Sequence, residues 1–158
     1  MKYAQHTSVS VEKSECEIKT LLIRYGASQY ASGWVKDKAI VQFHASERRI
    51  RFVLPLPSPK EDRFVYVTRK GEVRKDLGER ANEWAHELWE QECRQKWRAL
   101  ALAIKAKLES VESGIASFEE EFYAYIVMPG GKTLYDMTKG NVAIAYETGN
   151  IPPLLEFK

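Results

Sequence analysis

A two-residue hydrophobic period dominates residues 28–54, and a helical period dominates the stretches on either side of it. Residues 29–35, 38–44 and 49–54 read as three consecutive strands, with turns at Lys36-Asp37 and Ala45-Ser46-Glu47-Arg48. In the third strand Ile50, Phe52 and Leu54 fall on one face and Arg49, Arg51 and Val53 on the other, so the sheet is expected to be covered on one side and wetter on the second. Connections this short make an antiparallel meander the natural topology. Pro55, Pro57 and Pro59 end the third strand, because proline cannot donate to a ladder. Beyond them the pattern predicts a charged loop with a further edge strand at 64–68 and an exposed turn at Arg69-Lys70-Gly71-Glu72.

Upstream, the alternation from Thr7 to Val11 predicts a short strand with Val9 and Val11 on one face. Ser14 and Glu17 then read as a capping box for a helix carrying Ile18, Leu21, Leu22 and Tyr25, and Gly26 supplies its stop. Downstream, residues 76–112 are rich in Ala, Leu, Glu, Arg and Lys and predict a helical region ending near Gly114. At 1.5 Å per residue that region is about 55 Å long, more than the width of so small a domain. Ala81, Trp84, Ala85 and Leu88 make one apolar stripe. Cys93, Trp97, Leu100, Ile104, Leu108 and Val111 make a second, displaced by roughly 140°. Two outcomes fit: a bend or break near 89–92, or a continuous helix whose halves pack against different layers.

Ser117 and Glu120 form another capping box ahead of Phe118, Phe122, Tyr125 and Ile126, and Pro129-Gly130-Gly131 ends that helix. Residues 133–146 predict a last helix weakened by Gly140, closed by Gly149 and Pro152-Pro153 and followed by an apolar tail at Leu154-Leu155. The sum is one α+β domain over 1–158: a small antiparallel meander against a long helix, bent or continuous, and two or three further helices.

Composition agrees: 44% hydrophobic and 29% charged residues in 158 are the balance of one folded domain. Met1-Lys2-Tyr3-Ala4-Gln5-His6 has no apolar run after its lysine, and nowhere do about 18 apolar residues follow one another. Neither a secretory signal nor a membrane partner is therefore expected, and the cytoplasm is the expected compartment. Cys16 and Cys93 lack any CxxC or His/Cys spacing and are expected to be free buried thiols.

Charge changes the picture more. The net charge is +2, but between Arg48 and Lys75 nine basic residues face three acids, a local +6 that leaves −4 on the remainder. Arg49 and Arg51 on the wetter sheet face, Arg63, Arg69, Lys70 and Arg74 in the loop, and Trp34 and Tyr30 on a neighbouring strand form a candidate nucleic-acid surface. The arginines and lysine would neutralise phosphates and the aromatics would stack on bases. The plainer reading makes Trp34 a core residue and the arginines edge-strand solubilisers. A second candidate is a protein or homo-oligomer interface at Trp84, Leu88 and Trp89 on the displaced stripe.

Other clusters read structurally. Met128-Pro129-Gly130-Gly131-Lys132-Thr133 contains Gly-Lys-Thr, yet Ile126 stands where a phosphate loop needs its first glycine, so a turn with a helix cap is expected. His86, Glu90 and Cys93 share a helical stripe without the fourth ligand of a closed zinc site. Glu119-Glu120-Glu121 suits the first turn of a helix. Arg94, Arg98 and Lys105, with Lys96 and Lys107 opposite, either snorkel over a buried face or border a groove for an acidic partner. No catalytic motif, cofactor or metal is predicted.

Three blocks also carry a resemblance: Arg24-Tyr25-Gly26-Ala27 after Tyr3 to Val11, Arg49-Ile50-Arg51-Phe52 with its prolines, and Arg94-Gln95-Lys96-Trp97-Arg98-Ala99-Leu100 running on through Leu108-Glu109. With Gly114-Ile115-Ala116, Phe118-Glu119 and Ala145-Tyr146-Glu147-Thr148-Gly149, they make the chain resemble a family of small proteins of tailed bacteriophages and prophages. That family has no assigned activity, so no catalytic residue carries over. The resemblance implies an accessory role in the host cytoplasm, in DNA metabolism or in countering host defence.

Overall fold

Two connections of only two residues set the register of the meander. In the computed structural model, which describes residues 4–69, 72–75 and 79–154, β1 (Gln29–Val35), β2 (Lys38–Ala45) and β3 (Arg48–Pro55) pair antiparallel in that order. Val35 pairs with Lys38 across Lys36-Asp37, and Ala45 with Arg48 across Ser46-Glu47. Side chains alternate strictly, so Ala39, Val41, Phe43 and Ala45 of β2 are buried together with Ile50 and Phe52 of β3. The fold is α+β, as the periodicity predicts.

Three helices cover that face. α1 (Val11–Arg24) contributes Ile18 and Leu22, α3 (Glu79–Glu112) contributes Trp97, Leu100, Ala101, Ile104 and Leu108, and α4 (Phe118–Phe122) contributes Phe122. Phe122 meets Phe43 and Phe52 edge-on, with ring centroids 5.8 and 6.3 Å apart, an arrangement the ring quadrupoles favour. α4 starts at the expected capping box: the Ser117 hydroxyl accepts from the Glu120 amide and the Glu120 carboxylate from the Ser117 amide. Tyr25, at the end of α1, donates to Glu112 at 2.6 Å and to Glu109 at 3.1 Å, tying α1 to the last turns of α3. The hydrogen bond to Glu112 holds its phenol up at about 12.

α3 runs unbroken through 89–92, about 51 Å long at 1.5 Å per residue. Its second half faces α1 and the sheet. Its first half meets the short α2 (Asp62–Val65), and Trp89 Nε1 donates to the Pro57 carbonyl at 2.8 Å. The continuous alternative is therefore the observed one. The predicted start at 76 lies outside the described residues.

Four local expectations are corrected. Thr7 to Val11 is not a strand: α1 begins at Val11, with Ser10 as the cap that accepts from the Lys13 amide. Among the described residues no strand pairs with the preceding backbone; Gln91 and Gln95 of α3 donate to the carbonyls of Thr7 and Gln5 instead. Ser14 consequently lies inside α1 and is buried, with no partner for its hydroxyl among the described residues. Phe64 belongs to α2 and is buried, so the later strand β4 (Tyr66–Arg69) starts after it and pairs with β5 (Glu72–Lys75) as a separate hairpin. Cys93 is buried as expected, but Cys16 is exposed.

α5 (Leu134–Thr148) follows a turn at Met128–Lys132, with Gly130 and Gly131 at φ 97° and 85°. Thr133 caps it through a box with Asp136, and Gly149 ends it at φ 72°. Its N-terminal Leu134 is buried, and Asn141 donates to the Pro153 carbonyl as the tail folds back. Leu155 lies outside the described residues.

Truncating Phe122 to Ala is expected to cost about 3–5 kcal/mol, because three aromatic neighbours are left around a cavity; urea denaturation reads this directly. Ser46 and Glu47 sit at φ 47° and 60°, a pair of left-handed residues that Asn-Gly adopts with less strain. The double substitution S46N/E47G is expected to stabilise by about 1 kcal/mol, seen as a rise in Tm of roughly 2–4 °C in a thermal scan.

Candidate functional site

The face of the meander turned away from the helices is open. Register aligns its side chains in four rows: Gln29, His44 and Arg49; Ala31, Gln42 and Arg51; Gly33, Ile40 and Val53; Val35, Lys38 and Pro55. Lys38, Arg49 and Arg51 lie on it with His44, and none of these positions carries a carboxylate. Arg49 and Lys38 are exposed, and among the described residues no carboxylate forms an ion pair with Lys38, Arg49 or Arg51. His44 contacts the Ser28 hydroxyl through Nδ1 at 3.1 Å.

One edge of this face is built from distant sequence. Val127 donates to the Arg49 carbonyl at 2.8 Å, and Ile126 bridges to Ile50, so the chain after α4 lies alongside β3. The Met128–Lys132 turn hangs from that contact, and Arg51 donates to the Gly131 carbonyl at 2.8 Å. The Gly-Lys-Thr segment is thus a turn plus a helix cap, as its context predicts, and it brings the exposed Lys132 close to the cationic rows.

The sequence-derived surface does not hold together as one platform. Tyr30 and Trp34 pair with Phe43 and Ala39, which places both on the covered face, opposite Arg49 and Arg51, and β2 separates their strand from β3. Tyr30 is half-buried there, whereas Trp34 is 79% exposed. Arg63 is neutralised within the chain by Glu61 and Glu92 and lies over the Phe64 ring. Arg69 and Arg74 belong to the separate β4 and β5 hairpin, and Lys70 lies outside the described residues. Lys38 and His44 are the positions that sequence reasoning missed. The two-residue turn at Lys36-Asp37 was the available signal, since it places Lys38 opposite Val35 and Ala39 opposite Trp34.

The second candidate patch is partly consumed. Trp84 is exposed at 45%, but Leu88 is half-buried and Trp89 is spent on Pro57 and on stacking with His86. The basic run of α3 snorkels onto intramolecular acids: Arg94 to Glu90, Arg98 to Glu17 and Lys107 to Glu121. His86 meets Glu90 while Cys93 turns into the core, where burial pushes its thiol up to about 11. Glu119 pairs with Arg48, Glu120 caps α4 and Glu121 holds Lys107. Among the described residues no cluster of three His, Cys, Asp or Glu side chains is placed to hold a metal ion, and no helix is long and apolar enough to cross a membrane.

Comparison with known proteins adds nothing to this geometry: no family model, no curated protein and no solved structure matches the chain.

The two thiols should separate by reactivity. Under native conditions a thiol reagent is expected to label Cys16 alone, and Cys93 is expected to react only when denaturant is added, because burial both shields its sulfur and disfavours its thiolate. Mass spectrometry of the labelled chain distinguishes the sites.

Proposed function

We propose that the protein is a nucleic-acid-binding accessory protein that grips the phosphate backbone with the open face of its meander. The observation that carries this reading is a sheet face holding Lys38, Arg49, Arg51 and His44 without one carboxylate, in a chain whose net charge is only +2. Elsewhere, bases such as Arg63, Arg94, Arg98 and Lys107 are used up on acids. Here they remain available to an anionic partner, and charge of one sign on an open face steers such a partner in.

The arrangement also narrows the mode of binding. Lys38 and His44 lie six positions apart along β2, about 20 Å, and β3 sets Arg49 and Arg51 close to His44. A duplex presents a charge about every 1.7 Å along its axis, so this face spans several phosphates. With Tyr30 and Trp34 on the opposite side, no Phe, Tyr or Trp is on this face to stack on bases, and the contact is expected to be indifferent to base sequence. The phage and prophage resemblance supports an accessory role in DNA metabolism within the host cytoplasm.

The test is binding of a labelled duplex and a labelled single strand across a salt series. Affinity is expected to fall with a log-log slope of about −3, from three neutralised phosphates. K38Q/R49Q should flatten that slope by about 2, and K38E/R49E should abolish binding at 50 mM salt. W34A should leave both affinity and slope unchanged. No binding at low salt, or binding indifferent to K38E/R49E, overturns the reading.

A further inference from the structure

On the covered side of the sheet, toward the β1–β2 turn, lies a cleft of about 580 Å³. Its walls are the start of α1, the β1 and β2 hairpin, the proline strap at 56–59 and the middle of α3. The size falls within the range of ligand-binding clefts, roughly 300–1,000 Å³. Three indoles line it: Trp97 is buried and forms part of the floor, Trp89 is fixed by its bond to the Pro57 carbonyl, and Trp34 is exposed.

The charges around these rings are unbalanced. Glu12, Glu15, Asp37 and Glu90 line the cleft against Lys36 and Arg94, a surplus of two negative charges. Glu90 and Arg94 cancel as an ion pair at 3.4 Å. Glu15 accepts the Ser32 hydroxyl, and Glu12 is held below the usual carboxylate range by a backbone amide and by Ser10, so it stays ionised at neutral pH. Indole faces beside uncompensated carboxylates favour an organic cation over an anion or a neutral group, since the ring quadrupole and the carboxylates attract the same charge.

The strand that carries Trp34 says where that cation comes from. β1 is the outer strand of the meander and, among the described residues, pairs only with β2. Its seven residues, Gln29–Val35, hold no charged side chain and no proline, whereas exposed strand edges are ordinarily blunted by such residues. An extended segment adding to this edge places alternate side chains on the face shared by Ser32 and Trp34, directly at the cleft.

We propose that this cleft and edge together bind an extended basic segment of a partner polypeptide, with the free edge of β1 pairing its backbone and the tryptophan cleft receiving an arginine or lysine side chain. The site lies on the opposite sheet face from the phosphate-binding rows and does not depend on them.

The probe is a blocked five-residue peptide alternating threonine and arginine, titrated against the whole chain by tryptophan fluorescence and calorimetry. Its counterpart with citrulline, isosteric but uncharged, is expected to bind at least tenfold more weakly. W34A, at a position exposed enough to spare the fold, should lose at least tenfold, and E12Q/D37N should lose about fivefold with a shallower salt dependence. A peptide N-methylated at its central residues should also bind at least tenfold more weakly, because it cannot complete the ladder. Equal binding of the citrulline peptide, indifference to W34A, full affinity of the N-methylated peptide, or no binding at millimolar concentration each overturns the proposal. K38E/R49E should bind the arginine peptide normally, so failure here and failure of the phosphate-binding reading are told apart.

Discussion

Burial of a single face of the meander is the constraint on which everything else in this molecule rests. Ala39, Val41, Phe43 and Ala45 come from alternate positions of one strand, and α1, α3 and Phe122 close over them together with Ile50 and Phe52. Removing this apolar surface from water is the main gain of folding, at roughly 25 cal/mol per Å². Because side chains alternate along a strand, the same choice that sends Phe43 and Phe52 inward sends Gln42, Arg51 and Arg49 outward. The open face is therefore a by-product of the core, and its charges persist because, among the described residues, no carboxylate forms an ion pair with Lys38, Arg49 or Arg51.

Charge pairing follows the same partition. On the covered side, long basic side chains lie over apolar surface and end on acids of neighbouring elements, as Arg98 does on Glu17 and Lys107 on Glu121. These pairs are half-exposed and each adds little stability, but they fix how α1 and α4 dock on α3. On the open side no neighbouring element among the described residues supplies a paired carboxylate, so the cations keep their full effect on an approaching partner. The two faces consequently suit opposite ligands: phosphates on the bare rows, and a basic side chain in the cleft where Glu12 and Asp37 outweigh Lys36.

The continuous α3 reconciles two apolar stripes that point in different directions. Its second half completes the core, while its first half receives α2 and the proline strap, with Trp89 anchored on Pro57. That strap is also a wall of the cleft, so Trp89 of the displaced stripe serves both, while Trp84 of the same stripe stays exposed.

Local chemistry alone determined the meander, its turns, the capping boxes at Ser117 and Thr133, the glycine stops and the inward set of Ile50 and Phe52, because each depends on periodicity or on hydrogen bonds within a few residues. The start of α1 was decided by packing against the Ser14 signal: Gln91 and Gln95 bind the preceding backbone, Ser10 caps the helix and Ser14 is buried. The arginine pair on the open face was legible in the strand pattern, but the partners of the remaining charges were not. Arg63 meets Glu92 through a contact between residues far apart in the chain, and a linear pattern of charges holds no record of which distant acid will lie beside which base.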